Sequence, residues 1–265
     1  MTSAEAPRAF GVDALRDEIA STTPTVDTVV DLTGDDVVID ITSAVRPAEP
    51  DLYVVPRNKG LLAATPFQLA VKRAIDIIGA TIALVLLSPV FLVVAIAVKL
   101  SSPGPVLFKQ TRIGKYGEPF TFLKFRSMRV GADNEKRNLI DLNEVDGPVF
   151  KIREDPRITS VGRFLRKTSL DELPQLLHVL SGRMSLVGVR PPVPEEVAEY
   201  SAYERQRLLI KPGLTCIWQV SGRSDLDFRT WMRMDLEYIE NWSLALDLKL
   251  ILKTFSAVLS GRGAY

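Results

Sequence analysis

A chain of 265 residues, 46% of them hydrophobic and 25% charged, has room for one good domain and an appendage. Its single cysteine, Cys216, excludes an intramolecular disulfide and reads as core packing; nothing suggests an oxidising compartment. The formal net charge of +1 hides an asymmetry: residues 1–66 hold five Lys/Arg against eleven Asp/Glu, which leaves a basic remainder suited to anionic headgroups or phosphorylated substrates.

Residues 1–11 contain no apolar stretch of the signal-peptide kind. Up to about Phe67 the chain is rich in Thr, Asp, Ala and Pro. Two β-branched stretches, 26–32 and 37–41, flank Thr33-Gly34-Asp35 in the pattern of a hairpin. A lone hairpin is marginal in water, so residues 1–66 read as an acidic, largely disordered extension.

Residues 77–98 carry no charge, and Ser88-Pro89 interrupts the run midway. A straight helix over this run would be roughly 33 Å long, enough to cross a bilayer core. Pro89 removes a backbone donor and crowds the preceding turn, so a sharp bend is expected near Ser88. Lys72 and Arg73 precede the run. Lys99, Lys109, Arg112, Lys115, Lys124, Arg126 and Arg129 follow it, with Glu118 the one acid from Lys99 to Arg129. A spanning helix carries its basic bias on the cytoplasmic side. Basic residues on both flanks suit a re-entrant segment whose two ends return to one anionic leaflet. A signal anchor with a proline kink fits the same residues, because membrane helices tolerate proline when the freed carbonyls find partners. A buried soluble helix fits less well, since the run is too long and too uniformly apolar.

Ser101-Ser102-Pro103-Gly104-Pro105 ends this segment. Residues 106–110 and 120–125, joined by a Gly-containing loop, read as a β-hairpin. Between 157 and 167, Ile158, Val161 and Leu165 share one helical face, with Arg157, Arg163, Arg166 and Lys167 elsewhere. Such a helix either lies flat in the membrane interface or packs on the domain surface.

The heptapeptide Ser169-Leu170-Asp171-Glu172-Leu173-Pro174-Gln175 has capping-box spacing, with Ser169 three residues before Glu172. Asp171 and Glu172 then fall in a first turn, where the helix dipole favours them and Pro174 is tolerated. Capping alone accounts for these residues. Chemistry accounts for them equally well: a carboxylate can attack phosphorus to form an acyl phosphate, if Mg²⁺ or basic side chains offset the repulsion. The basic candidates are Lys124, Arg126, Arg166, Arg190 and Arg223. Adjacent carboxylates on a helix point about 100° apart, so one would attack while the other holds metal or handles a proton.

Towards the end, Leu244, Leu248, Ile251, Phe255 and Val258 recur at helical spacing, a stripe for core or interfacial packing rather than for a cofactor. Asn241-Trp242-Ser243 spells a glycosylation sequon, which would be an accident of spelling with the body facing the cytoplasm. No nucleic-acid motif and no internal repeat is visible, so nucleic acid is not an expected partner.

Several segments stand in one recognisable order: Lys72-Arg73 with Asp76, Ser88-Pro89, Pro103-Gly104-Pro105 and Lys124-Phe125-Arg126-Ser127-Met128. After them come Asp155-Pro156-Arg157-Ile158-Thr159, residues 166–175, Met184-Ser185-Leu186-Val187-Gly188, Arg190-Pro191 and Lys211-Pro212-Gly213-Leu214-Thr215. From Val71 to the end, about three quarters of its length, the chain thereby resembles the bacterial sugar transferase family. These are the monotopic phosphoglycosyl transferases that begin glycan assembly on polyprenyl phosphate.

The resemblance implies an α/β fold of the α+β kind, mostly helical, with a re-entrant membrane helix, interfacial amphipathic helices and a small β-hairpin. It divides the chain into the extension at 1–66, a helix-break-helix at 67–100 with its break at Ser88 and Pro89, and a catalytic domain at 101–265. That domain would face the cytoplasm from the inner membrane. Asp171 and Glu172 become a catalytic dyad that also holds Mg²⁺. The Asp would attack the β-phosphate of a UDP-sugar, UMP would leave, and polyprenyl phosphate would take the phosphosugar in a ping-pong scheme. Lys72 and Arg73 would contact the lipid phosphate and Arg190 the nucleotide sugar. Lys124, Arg166 and Arg223 would hold phosphates, with Arg126 a further substrate contact. Downstream glycosyltransferases and a second copy of the chain are partners the resemblance leaves open.

The chain departs from the family pattern at Val189, where proline is usual, at His178, where Asn is common, and at Cys216, where Gly is common. His178 reads as a helix-surface or capping residue rather than a ligand. Residues 218–223, Tyr238 with Asn241-Trp242-Ser243, and 261–265 resemble the branch that carries glucose or galactose 1-phosphate for exopolysaccharide; an N-acetylated sugar stays open. The rival from another class is a catalytically silent membrane scaffold, against which the intact dyad and its basic neighbours speak.

Overall fold

The computed structural model describes residues 55–222 and 226–260; the hairpin expected within 26–41 lies outside the described residues. Thr65 opens the first helix with a capping box: its Oγ1 accepts from Gln68 N at 3.2 Å while Gln68 Oε1 accepts from Thr65 N at 2.8 Å. Pro66 follows at the first helical position. This helix, α1, runs Pro66–Ser101 with Pro89 inside it. The backbone is helical through Ser88 and Pro89, where the break is expected. Pro89 has no N–H for the Val85 carbonyl, and Ser88 Oγ donates to that same oxygen at 2.8 Å. The orphaned acceptor is satisfied inside the helix, so the backbone stays helical across the proline.

Over 36 residues the helical path of α1 sums to about 54 Å, well beyond a bilayer core of roughly 30 Å. It presents two faces along its whole length. Ile78, Ile82, Val85, Leu86, Leu92, Val93, Ile96 and Leu100 are exposed, while Lys72, Asp76, Ala80, Val94 and Val98 are buried. Ala80 packs with Phe120, Phe122, Leu176, Val179 and Met184; Val94 and Val98 pack with Phe125 and Leu165. Both halves of α1 therefore lie against one body.

The expected hairpin is present and longer than expected. Strands β1 (Leu107–Ile113) and β2 (Pro119–Phe125) pair antiparallel from Leu107 opposite Phe125 to Ile113 opposite Pro119. Helix α2 (Ser160–Thr168) starts at Thr159, whose Oγ1 accepts from Gly162 N at 2.9 Å. A Cβ at Gly162 would lie 1.8 Å from Ser127 O, so glycine lets α2 press onto the chain that leaves β2. Leu165 is buried beneath α2 and Phe164 is exposed above it.

The next turn corrects the capping expectation. Ser169 is left-handed, with φ 57° and ψ 17°, and its side chain caps nothing. It closes α2 instead, its N–H donating to Arg166 O at 3.1 Å. The chain then enters a 3₁₀ segment, Leu170–Gln175, which leads directly into α3 (Leu176–Leu180). A second sheet had no forecast: β3 (Ser185–Val187) runs parallel to β4 (Gly213–Thr215). A Cβ at Gly213 would stand 2.0 Å from Gly188 N, so this pairing needs glycine.

Helices α4 (Pro194–Glu199), α5 (Ala202–Arg205), α6 (Phe228–Glu240) and α7 (Leu244–Ser260) complete a mostly helical α/β body. Its main core gathers Val187, Val189, Leu236, Tyr238, Ile239, Trp242 and Leu250. Val55 belongs to that core, and its N–H donates to Gln206 Oε1 at 2.7 Å. The stretch 55–65, assigned from sequence to the disordered extension, is thus part of the body. The apolar stripe expected on α7 splits: Leu244 and Ile251 pack inward, whereas Leu248 and Phe255 are exposed.

Candidate active site

Four segments bring the acidic pair and three cations to one cavity of about 400 Å³. The 3₁₀ segment supplies Asp171 and Glu172, β2 supplies Lys124, α2 supplies Arg166, and the loop after β3 supplies Arg190. Asp171 is buried, yet neither of its oxygens has a hydrogen-bond or ion-pair partner among the described residues. Burial pushes its carboxyl up to about 6, and the charge of Glu172 adds to the rise; Lys124, Arg166 and Arg190 pull the other way. Lys124 is pushed down to about 8 by burial and by neighbouring Arg166, against the pull of Asp171. Its ammonium also lies 5.3 Å from the centre of the Phe108 ring. Burial lowers the Arg166 guanidinium too, and its Nε reaches Ser127 Oγ at 3.3 Å.

Glu172 is held differently. Its Oε1 accepts from Arg190 Nη1 at 3.3 Å. Burial works against the Arg190 charge, but Glu172 and Glu196 outweigh it and hold its pKa above the ordinary value. The backbone of Arg190 is fixed from behind: Arg207 Nη2 donates to Arg190 O at 2.8 Å and to Asp235 Oδ2 at 2.5 Å, and Arg207 Nη1 donates to Tyr200 OH at 2.7 Å. Arg112 anchors the following residue, donating from Nη1 to Pro191 O at 2.9 Å. Val189, the departure from the usual proline, is a buried core residue whose carbonyl accepts from Gly213 N at 2.8 Å. It extends the β3–β4 pairing up to the residue that meets Glu172.

Three of the basic residues expected at the substrate stand elsewhere. Lys72 is buried, and its ammonium donates to Asp247 Oδ2 at 2.6 Å, to Val187 O at 3.0 Å and to Tyr238 OH at 3.4 Å. An ammonium has three protons, so none is left for a lipid phosphate. Arg73 donates to Val179 O at 2.6 Å and Leu180 O at 2.7 Å, closing the C-terminus of α3. Arg126 is buried at the end of α1, donating to Ser102 O at 2.8 Å, to Val98 O at 3.4 Å and to Pro103 O. With Asp76, whose Oδ1 accepts from Ser185 Oγ at 2.9 Å and Leu186 N at 2.8 Å, these residues fasten α1 to the body. Arg223 lies outside the described residues.

His178 is also corrected. It is buried rather than at a helix surface, stacks on Phe122 and accepts from Leu123 N at 3.2 Å through Nε2. That bond holds β2 one residue from Lys124. Asp155, another carboxylate at the cavity, is occupied by Arg157, which donates to it at 2.9 Å from Nε and 2.6 Å from Nη2. Sequence reading missed Arg207 and Asp235 because their roles depend on contacts across many intervening residues; nothing in the local pattern marks them.

A buried carboxylate with unengaged oxygens among cations in one cavity is an arrangement suited to group transfer on phosphates. The chain belongs to the bacterial sugar transferase family, whose pattern matches residues 67–261. It is 47% identical over 199 residues, 74% of its length, to "Galactosyl transferase CpsE" of Streptococcus agalactiae, and spans 44% of that protein. It is 41% identical over 227 residues to "Exopolysaccharide production protein ExoY" of Rhizobium meliloti, covering 84% of this chain and 99% of that one. It is 43% identical over 202 residues to "UDP-glucose:undecaprenyl-phosphate glucose-1-phosphate transferase" of Escherichia coli, covering 73% of this chain and 41% of that one.

Proposed function

We propose that this chain transfers a sugar 1-phosphate from a UDP-sugar to polyprenyl phosphate and releases UMP, with glucose or galactose as the sugar. The observation that carries the reading is Asp171: a buried carboxylate with no partner on its oxygens, beside Lys124 and Arg166. A carboxylate placed to cap or to pair would be engaged; one placed to attack must be free. In the first half-reaction an Asp171 oxygen bonds to the β-phosphorus, the bond from that phosphorus to the bridging oxygen breaks, and UMP leaves with the electron pair. In the second, an oxygen of polyprenyl phosphate bonds to the same phosphorus and the pair returns to the Asp171 carboxylate. One phosphoanhydride replaces another, so no external energy source is needed. Lys124, Arg166 and Arg190 balance charge on the diphosphate and the transferred phosphoryl group, and Arg190 also holds Glu172 in place.

Magnesium fits this site in one way. Among the described residues no three acidic, His or Cys side chains gather as a ready-made metal cage. Mg²⁺ binds through one or two carboxylates plus substrate phosphates, which Asp171 and Glu172 can provide once the UDP-sugar is present. Bound there it would neutralise charge on the diphosphate. The apolar helix α1 is read as a membrane element. Both of its halves pack on one body, which supports a re-entrant placement with both ends on one face. The proposed side is the cytoplasmic face of the inner membrane, where a UDP-sugar can reach the cavity.

The test is UMP release from a panel of UDP-sugars with polyprenyl phosphate. Parallel lines in double-reciprocal plots and UMP equal to lipid-linked sugar are expected. Intersecting lines, with no labelled protein when lipid is omitted, would refute the covalent route. The donor half-reaction should rise with pH through about 6, as Asp171 ionises, and decline above about 8, as Lys124 loses its charge. A profile flat across both values would show that these two groups do not control the step. Arg190→Ala is expected to slow UMP release by about 10²- to 10³-fold, the usual loss when one stabilising donor goes.

A further inference from the structure

The cavity that holds the dyad has a wall of a different chemistry. Leu214, Thr215, Thr254, Ala257 and Val258 line it, brought together by β4 and α7. The Thr215 and Thr254 hydroxyls share a hydrogen bond of 2.8 Å, and Thr254 Oγ1 donates to Leu250 O at 2.7 Å. With those hydroxyls engaged, the wall offers mainly methyl and aliphatic carbon. A sugar ring or a uracil placed against it would lose hydrogen bonds to water without replacement. A hydrocarbon chain would lose none.

The outer side of α7 is apolar as well. Leu248, Leu252 and Phe255 are exposed, roughly 130° round the helix from Thr254, Ala257 and Val258. Helix α2 packs beside α7 and adds exposed Phe164. One helix thus parts an open apolar surface from the apolar wall of a cavity whose other side is cationic. A molecule with a phosphate head and an isoprenoid tail matches this division.

We propose that the β4–α7 wall is the subsite for the isoprene units nearest the phosphate of the acceptor, and that the tail leaves the cavity past Val258 along α7. The proposal rests on the phosphoglycosyl transferase reading above. It places the acceptor phosphate among Lys124 and Arg166, within reach of the phosphorus carried on Asp171. The donor's sugar and uridine occupy the remainder of the cavity.

The two half-reactions allow a clean test on the purified full chain. Exchange of labelled UMP into UDP-sugar without acceptor reads the donor half, and kcat/KM for polyprenyl phosphate reads the acceptor half. Val258→Asp is expected to lower acceptor kcat/KM about tenfold more than it lowers exchange, because it sets a charge against hydrocarbon. Val258→Leu, which keeps the wall apolar, should recover most of that loss. An equal fall in both halves would assign the wall to the donor, and no fall in either would leave nothing bound there; each overturns the proposal. If the wild-type chain shows no exchange, the covalent reading fails separately. The comparison then passes to kcat/KM for UDP-sugar against kcat/KM for polyprenyl phosphate, and the same inequality decides.

Discussion

Asp171→Asn is expected to lower turnover by a factor on the order of 10⁴ or more, as loss of a covalent nucleophile does. It should also abolish label on the protein when the chain meets a UDP-sugar labelled in the sugar with no lipid present. Asn has nearly the shape of Asp, so the 3₁₀ turn and the cavity should survive. Stability separates the two accounts of this residue. The folded-state pKa is raised from 3.8 to about 6, so the stability Asp171 contributes below 3.8 is lost as pH rises through about 6. At pH 7 the charged form is therefore a burden on the fold, and Asn should leave the melting temperature unchanged or raise it. A helix-capping Asp would behave oppositely, keeping activity and losing stability on substitution. Label retained on the Asn variant would remove Asp171 from the mechanism.

Lys72→Met is expected to act on the fold rather than on the lipid. It leaves Asp247 buried with Tyr238 and Trp242 as donors but without its cation, the lost ion pair being one of 2.6 Å. Breaking such a pair costs about 3–5 kcal/mol, which lowers the melting temperature of a body this size by roughly 10 °C. The double variant Lys72→Met with Asp247→Leu should regain much of the loss, because it removes both buried charges. Thermal unfolding checks the stability effect, and KM for polyprenyl phosphate checks the alternative. A tenfold rise in KM with unchanged melting would return Lys72 to the lipid phosphate.

These two residues show where local reasoning works and where it fails. Asp171 and Glu172 could be singled out because two adjacent acids in a short apolar context have few uses, and the resemblance then assigned them one. The hairpin 107–125 was legible from alternation and its glycine-bearing loop, and α1 from an unbroken apolar run. The left-handed Ser169 was not. Its Ser-x-x-Glu spacing is that of a capping box, and only its left-handed backbone, with the N–H on Arg166 O, shows that the residue closes one helix instead of opening the next. How Pro89 is tolerated was not legible either, since that depends on whether another donor reaches Val85 O, and Ser88 does.

The sequence by itself marked the apolar helix and the Asp171–Glu172 pair, because each is written in neighbouring residues, and its ordered motifs carried the family. Tertiary structure decided which cations line the cavity beside that pair. Lys72, Arg73, Arg126 and Arg190 look alike in a string of letters, yet the first three are spent on Asp247 and on backbone carbonyls, and Arg190 alone of these meets the dyad. A guanidinium or ammonium is a general-purpose donor, and its task is set by whichever acceptors the fold brings within about 3 Å of it. Those acceptors lie as far as 175 residues away along the chain, a separation over which periodicity and motif carry no information.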